Sequence, residues 1–160
     1  MIDWREAGPL ANEEIGNDEK LSHVLERQSE VSQGGKTKGK AKPSALIPYS
    51  GTALSVTREK GLSTDDVWSS CLATIEQKNS NKRKNLEKKG RLEEFSPLSL
   101  QGKATIDAHH FKNAKLSLEA AEPPRNHVDI AGWPSERSEQ LSIVRDLYQH
   151  VETFLFAGLP

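Results

Sequence analysis

The chain reads as an α+β protein: a small mixed or antiparallel sheet with two main packed helices, about 63–77 and 135–156, and a flexible N-terminal arm. Three observations predict this. His127-Val128-Asp129-Ile130-Ala131 alternates apolar and polar side chains as a half-buried strand does, with Pro123 and Pro124 before it and Gly132 and Pro134 to stop it. Beyond it, Leu141, Val144, Leu147, Tyr148, Val151, Phe154 and Leu155 recur at spacings of three and four, one apolar stripe along a helix that Ser135 can cap. Earlier, Ser63-Thr64-Asp65-Asp66 has the capping pattern of a helix start, ahead of Val67, Trp68, Cys71, Leu72 and Ile75 at helical spacing.

The remaining elements follow in chain order. Apolar residues make up 34% of the chain and charged ones 28%, too few and too many for every residue to join a core. Residues 1–42 are therefore expected to form the arm and 43–160 a single α+β domain. Within the arm, Leu21, Val24, Leu25 and Val31 fall near one face of a short helix at 18–32, a length that holds only if it docks. Residues 34–42 are glycine- and lysine-rich, the composition of a flexible linker. Ser44 to Tyr49 reads as a strand that Pro48 places at an edge or at a strand end, Ser50-Gly51 as a turn, and Thr52 to Arg58 as a second, alternating strand.

From Gln77 to Arg91 the apolar pattern stops, leaving either a solvated extension of the helix or an exposed loop. Residues 92–100 look irregular. Ala104, Ile106 and Ala108 alternate as the inward face of a strand, residues 109–115 have the length of a single turn, and Leu116, Leu118 and Ala120 mark one more strand before the double proline.

Ala53-Leu54-Ser55-Val56-Thr57-Arg58, then Leu62 to Trp68, then Pro124-Arg125-Asn126-His127-Val128-Asp129-Ile130 resemble, in order and type, features of a group of small bacterial proteins with an L-S-V strand, a capped helix bearing an aromatic residue, and a late N-x-H-x-x-I stretch. The resemblance spans roughly residues 44–133 and implies a bacterial origin and a common fold. It implies no chemistry.

Acidic and basic residues nearly cancel, for a net charge of −1, so any attraction to nucleic acid must be local. The single Cys71 excludes an internal disulfide, and with no apolar N-terminal segment and no stretch long enough to span a bilayer, a cytoplasmic protein without membrane contact is expected. Cys71 falls within its helix's apolar stripe, where a thiol packs as a small hydrophobe.

Asp107, His109, His110, His127 and Asp129 carry the atoms for a metal site or for general acid and base work. If the strand of Ile106 lies beside that of Val128, Asp107 shares a polar face with His127 or Asp129. The spacing matches no established ligand motif such as H-E-x-x-H, so the simpler reading leaves His109 and His110 at the surface and His127 bonded to a turn. No catalytic motif and no cofactor-binding motif is present: Gly34-Gly35-Lys36-Thr37 lacks the first glycine and preceding strand of a phosphate loop. Lys82, Arg83, Lys84, Lys88, Lys89 and Arg91 can hold phosphates, but only Phe95 is near to stack on bases. Tyr148, Phe154, Leu155 and Phe156 form an apolar end that is either tucked under the sheet or buried in another subunit. The preferred reading is a non-enzymatic accessory subunit that binds a protein partner. The alternatives are a metal-dependent hydrolase or nuclease centred on Asp107, His109, His127 and Asp129, and a nucleic-acid-binding factor.

Overall fold

The computed structural model describes residues 2–48 and 53–158. It contains one open antiparallel sheet of six strands: β1 (Lys20–Leu25), β2 (Leu54–Arg58), β3 (Gly102–Asp107), β4 (Ser117–Ala120), β5 (His127–Ala131) and β6 (Glu152–Leu155). Their spatial order is β4-β5-β2-β1-β3-β6, and every neighbouring pair is antiparallel. Three helices accompany it: α1 (Thr64–Lys88), α2 (Ala108–Asn113) and α3 (Arg137–Tyr148). No helix is long and apolar enough to cross a membrane, among the described residues.

The α+β class follows the sequence patterns, but several elements do not. Residues 18–32 hold no α-helix: Lys20–Leu25 is strand β1, in the interior of the sheet between β2 and β3. An interior strand covered on both faces is apolar on both. Leu21 and Leu25 face one way and Val24 the other, which reproduces helical i, i+3, i+4 spacing over so short a run. The second helix ends at Tyr148 instead of 156, with Gln149 as its C-cap, and Glu152–Leu155 is edge strand β6. Val151 and Thr153 are β-branched and Phe154 aromatic, residues that suit a pleated surface, so the apolar stripe runs on past the helix that began it. Its N-cap is Glu136, with no side-chain capping bond, so Ser135 does not cap it.

Residues 2–42 of the expected arm do not lie outside the core. Leu10, Ile15, Val31 and Ala41 are buried, and Arg58, wholly buried, anchors this segment. Its Nε and Nη2 donate to Glu19 Oε1 and Oε2 (2.8 and 2.7 Å), Nη1 to the carbonyls of Leu10 and Glu13 (3.1 and 2.9 Å), and Nη2 to that of Glu14 (3.1 Å). All five guanidinium N–H groups are thereby used, the condition for burying this charge. Burial pushes the Glu19 carboxyl up, yet the Arg58 hydrogen bonds and the Gly16 amide outweigh it and hold it below its ordinary value. Residues 44–46, the start of the strand expected at Ser44 to Tyr49, belong instead to a 3₁₀ turn, Pro43–Leu46, that Pro43 starts at its first position, burying Ala45 and Leu46. Tyr49, the Ser50-Gly51 turn and Thr52 lie outside the described residues.

The capped helix is as the pattern reads. Ser63 Oγ accepts from Asp66 N (3.1 Å) and Asp66 Oδ2 accepts from Ser63 N (3.3 Å), both halves of a capping box. The helix continues through the basic run to Lys88, so 78–88 is a solvated helix, not a loop. Its return segment is fixed by Asn79, whose Nδ2 donates to the Leu98 carbonyl (2.9 Å) and whose Oδ1 accepts from Leu98 N (2.7 Å). The main core lies on the face of the sheet shared with α2 and α3, where Leu21, Leu25, Val56, Ile106, Val128 and Ile130 meet Phe111, Val144 and Leu147. A smaller cluster, Val24 with Val67, Cys71 and Ile75, lies under α1.

Candidate functional site

Strand β6 ends the sheet. Gly102 allows it to close on β3, since a Cβ there would lie 2.4 Å from the Phe154 carbonyl oxygen. Beyond its pairing with β3, β6 makes no backbone hydrogen bond among the described residues, so its outer row of N–H and C=O groups is free. Its side chains divide by the period of two. Phe154 stands on the α1 face, its ring centroid 5.0 Å from Lys103 Nζ, which also lies 5.4 Å from the Trp68 ring. Phe156, just past the strand, meets Trp68 at 5.2 Å between centroids. Leu155 turns to the opposite face, against Gly39. Phe154 and Leu155 remain 42% and 52% exposed, among the most exposed large apolar residues described. The expected interface set is therefore spread over two faces, with Tyr148 half-buried in the last turn of α3.

The lysine-rich segment lies beside this edge. Ala41 N donates to Thr153 Oγ1 (2.9 Å), and the bridge between Val31 and Ala41 folds residues 32–40 into a loop. Gln33, Lys38, Gln101, Leu155 and Phe156 line a groove of about 300 Å³ there. Lys36, Lys38, Lys40 and Lys42 are exposed and form no salt bridge among the described residues. Composition reads these lysines as a flexible linker, whereas the structure folds them against the sheet edge. The contacts of Ala41 with Thr153 and of Gly39 with Leu155, more than a hundred residues on, place them next to β6.

The five-residue constellation divides in two. β5 is separated from β3 by β2 and β1, so His127 and Asp129 lie about three strand spacings, roughly 14 Å, from Asp107. The arrangement that would have put Asp107 on one face with them, the strand of Ile106 beside that of Val128, does not occur. His127 Nε2 and Asp129 Oδ1 are 2.9 Å apart, i and i+2 on one strand face, so the imidazole binds its neighbour and no turn. Asp107, His109 and His110 do gather, with one ligand atom from each within 4.8 Å of the others. Adjacent histidines would point apart on a strand; here α2 starts at Ala108 and puts their rings 3.9 Å apart. His109 Nδ1 is 3.1 Å from the Asn17 carbonyl, which as acceptor fixes the proton on Nδ1 and leaves Nε2 free to ligate. Against this, Asp107 Oδ1 is held by Lys20 Nζ at 3.3 Å, and the His110 ring stacks flat on His150 at 3.8 Å. Desolvation, then the neighbouring His150 and His109, keep the His110 imidazole below its ordinary value, so it stays neutral. These three residues can supply nitrogen and carboxylate ligands to a divalent cation after Lys20 swings away.

Elsewhere the basic run is partly spoken for. Lys82 Nζ donates to the Ser96 carbonyl (2.8 Å), Arg83 lies 4.8 Å over the Phe95 ring, and Arg91 pairs with Glu94, leaving Lys84, Lys88 and Lys89 exposed and without salt bridges among the described residues. Burial pushes the Cys71 thiol up to about 12, so it stays protonated at neutral pH. Comparison with protein-family models, curated proteins and solved structures finds no match.

Proposed function

We propose that this chain is a non-enzymatic interaction module, an accessory subunit of a larger cytoplasmic assembly, whose β6 edge takes up an extended segment of a protein partner as a seventh strand. One observation carries the reading: an unpaired strand edge presenting Phe154 and Leu155 beside four exposed lysines with no salt bridge among the described residues. Strand addition supplies main-chain hydrogen bonds, and alternate side chains supply selectivity. Here those side chains are apolar, to cover Phe154 and Leu155, and acidic, to meet the lysines. A symmetric pair of such edges fits less well. Four residues offer far less than the roughly 800 Å² per partner of a stable interface, and they bring two lysine tracts together.

The test uses a fluorescein-labelled octapeptide of alternating glutamate and valine, titrated against the full chain. Binding that weakens with added salt and shifts the β6 amide resonances is expected, and Leu155→Glu abolishes it. No binding, or equal binding to the variant, overturns the reading.

A further inference from the structure

On the α1 face, at the other side of the sheet from β6, the helix and the strands enclose a cavity of about 230 Å³. Local sequence explains why it exists. β1 pairs with β3 along its whole length but with β2 only at Leu21–Arg58 and Ser22–Thr57, so β1 and β2 part beyond that point. His23 bridges the gap, its Nδ1 2.9 Å from the Ser55 carbonyl. Above the gap α1 turns its short side chains, Ser70, Ala73 and Thr74, while Cys71 and Ile75 pack with Val24 in the small core cluster. Protein interiors are normally filled to crystal-like density, so a void roofed by residues too short to fill it is a place where a ligand fits.

Its chemistry is one-sided. Arg5, Lys78 and Arg125 line it, with His23 and His127, and no carboxylate does. Glu26, which pairs with Lys78 at 2.6 Å, and Asp3, which pairs with Arg5, stand outside the lining. Arg125 lines the cavity and has no salt bridge among the described residues; its Nε is buried away from the void, against Gly8, whose amide donates to Glu122 Oε1 (2.8 Å). The Ser70 hydroxyl adds a donor from the helix side. At the rim, Arg125 N donates to the Trp4 carbonyl (3.0 Å), which ties the segments carrying the Trp4 indole and the Pro124 ring together; Val24, Val56 and Ala73 give the walls their carbon.

We infer that this cavity binds a small phosphate monoester carried on a flat, apolar body, the phosphate against Arg125 and the flat part along Trp4 and Pro124. Of the three cations only Arg125 has no ion-pair partner among the described residues, and its two Nη groups match two phosphate oxygens; Arg5 and Lys78 are shared with Asp3 and Glu26.

Titration of the full chain with adenosine monophosphate, adenosine and inorganic phosphate, followed by amide resonances and calorimetry, tests this. The monophosphate is expected to shift Ser70, Thr74 and Arg125 and to bind at least tenfold more tightly than either fragment. Arg125→Gln is expected to weaken it at least tenfold while leaving the melting temperature in place. Ala73→Leu, which fills the void, removes binding by a separate route; if that variant fails to fold, Arg125→Gln decides alone. Adenosine binding as well as its monophosphate, undiminished binding to Arg125→Gln, or no binding at millimolar ligand overturns the inference.

Discussion

The two faces of the sheet come from the same strands and are built from different materials. Toward α2 and α3 the strands turn Leu21, Leu25, Leu54, Val56, Ala104, Ile106, Val128 and Ile130, which with Phe111, Val144 and Leu147 exclude water. Toward α1 they turn Ser22, Lys103, Thr105, His127 and Asp129. Ser22 Oγ is 2.8 Å from Thr105 Oγ1 and also bonds Glu59, and Lys103 Nζ donates to Glu59 Oε2 at 2.8 Å. Apolar burial is non-directional and favours any close packing, whereas each buried polar group needs a particular partner. The first face can therefore hold the fold while the second holds the polar cavity, and the free edge at β6 belongs to both, Phe154 to one and Leu155 to the other.

Three measurements sharpen or break this contrast. The largest effect is expected on the dry face: Phe111→Ala should cost about 3–5 kcal/mol by urea unfolding, because its ring is buried among residues that cannot collapse into its place. Thr74→Ala, on the roof of the cavity, should cost under about 1 kcal/mol by the same method. Comparable losses would mean the faces share the load.

A middle-sized effect should come from the wet face. Lys103→Met leaves Glu59 with only hydroxyl partners and should cost about 2 kcal/mol. Adding Glu59→Gln should recover part of that, since the remaining groups are neutral, and the double-mutant cycle reads the coupling directly. Additive losses would show that the pair is not coupled.

The smallest effect is in pH. Folding holds the imidazoles of His23 and His110 below their ordinary value of 6.5, mainly by desolvation, so the unfolded chain takes up protons first as pH falls. Stability should therefore decline below about pH 6.5. Glu19, held below 4.5, contributes stability that is present above that pH and lost as pH falls through its lowered value. Urea midpoints across pH 7 to 3 should show both declines, and His110→Gln should reduce the first only. A flat profile from 7 to 5 would remove the histidines from the account.

Much of the framework could be read along the chain because its signals are local. The alternation at His127–Ala131 and the Ser63–Asp66 box depend on neighbours a few residues away. What could not be read depends on pairing across the chain. The Lys20–Leu25 run has apolar residues at spacings common to a helix and a doubly buried strand, and only its seat between β2 and β3 decides between them. Arg58 looked like one more polar end of a strand; its worth comes from four acceptor residues between 10 and 19. For the candidate sites, residue type identified Asp107, His109 and His110 as well as Phe154 and Leu155. It could not show that His127 stands three strands off, or that Arg125 and Lys78, 47 residues apart, line one hollow.

The position of β1 has a consequence for how the molecule can be cut. With it in place, β4, β5 and β2 on one side join β3 and β6 on the other; without it no ladder among the described residues links the two groups. A protease nick or a trimmed N-terminus that freed Lys20–Leu25 would leave a three-stranded and a two-stranded remnant, each with a newly bared interior edge, and fragments of that kind stick to one another. Strand β1 is thus the seam of the whole sheet, and insertions or deletions in it put more at risk than the same changes among the exposed residues around Lys89.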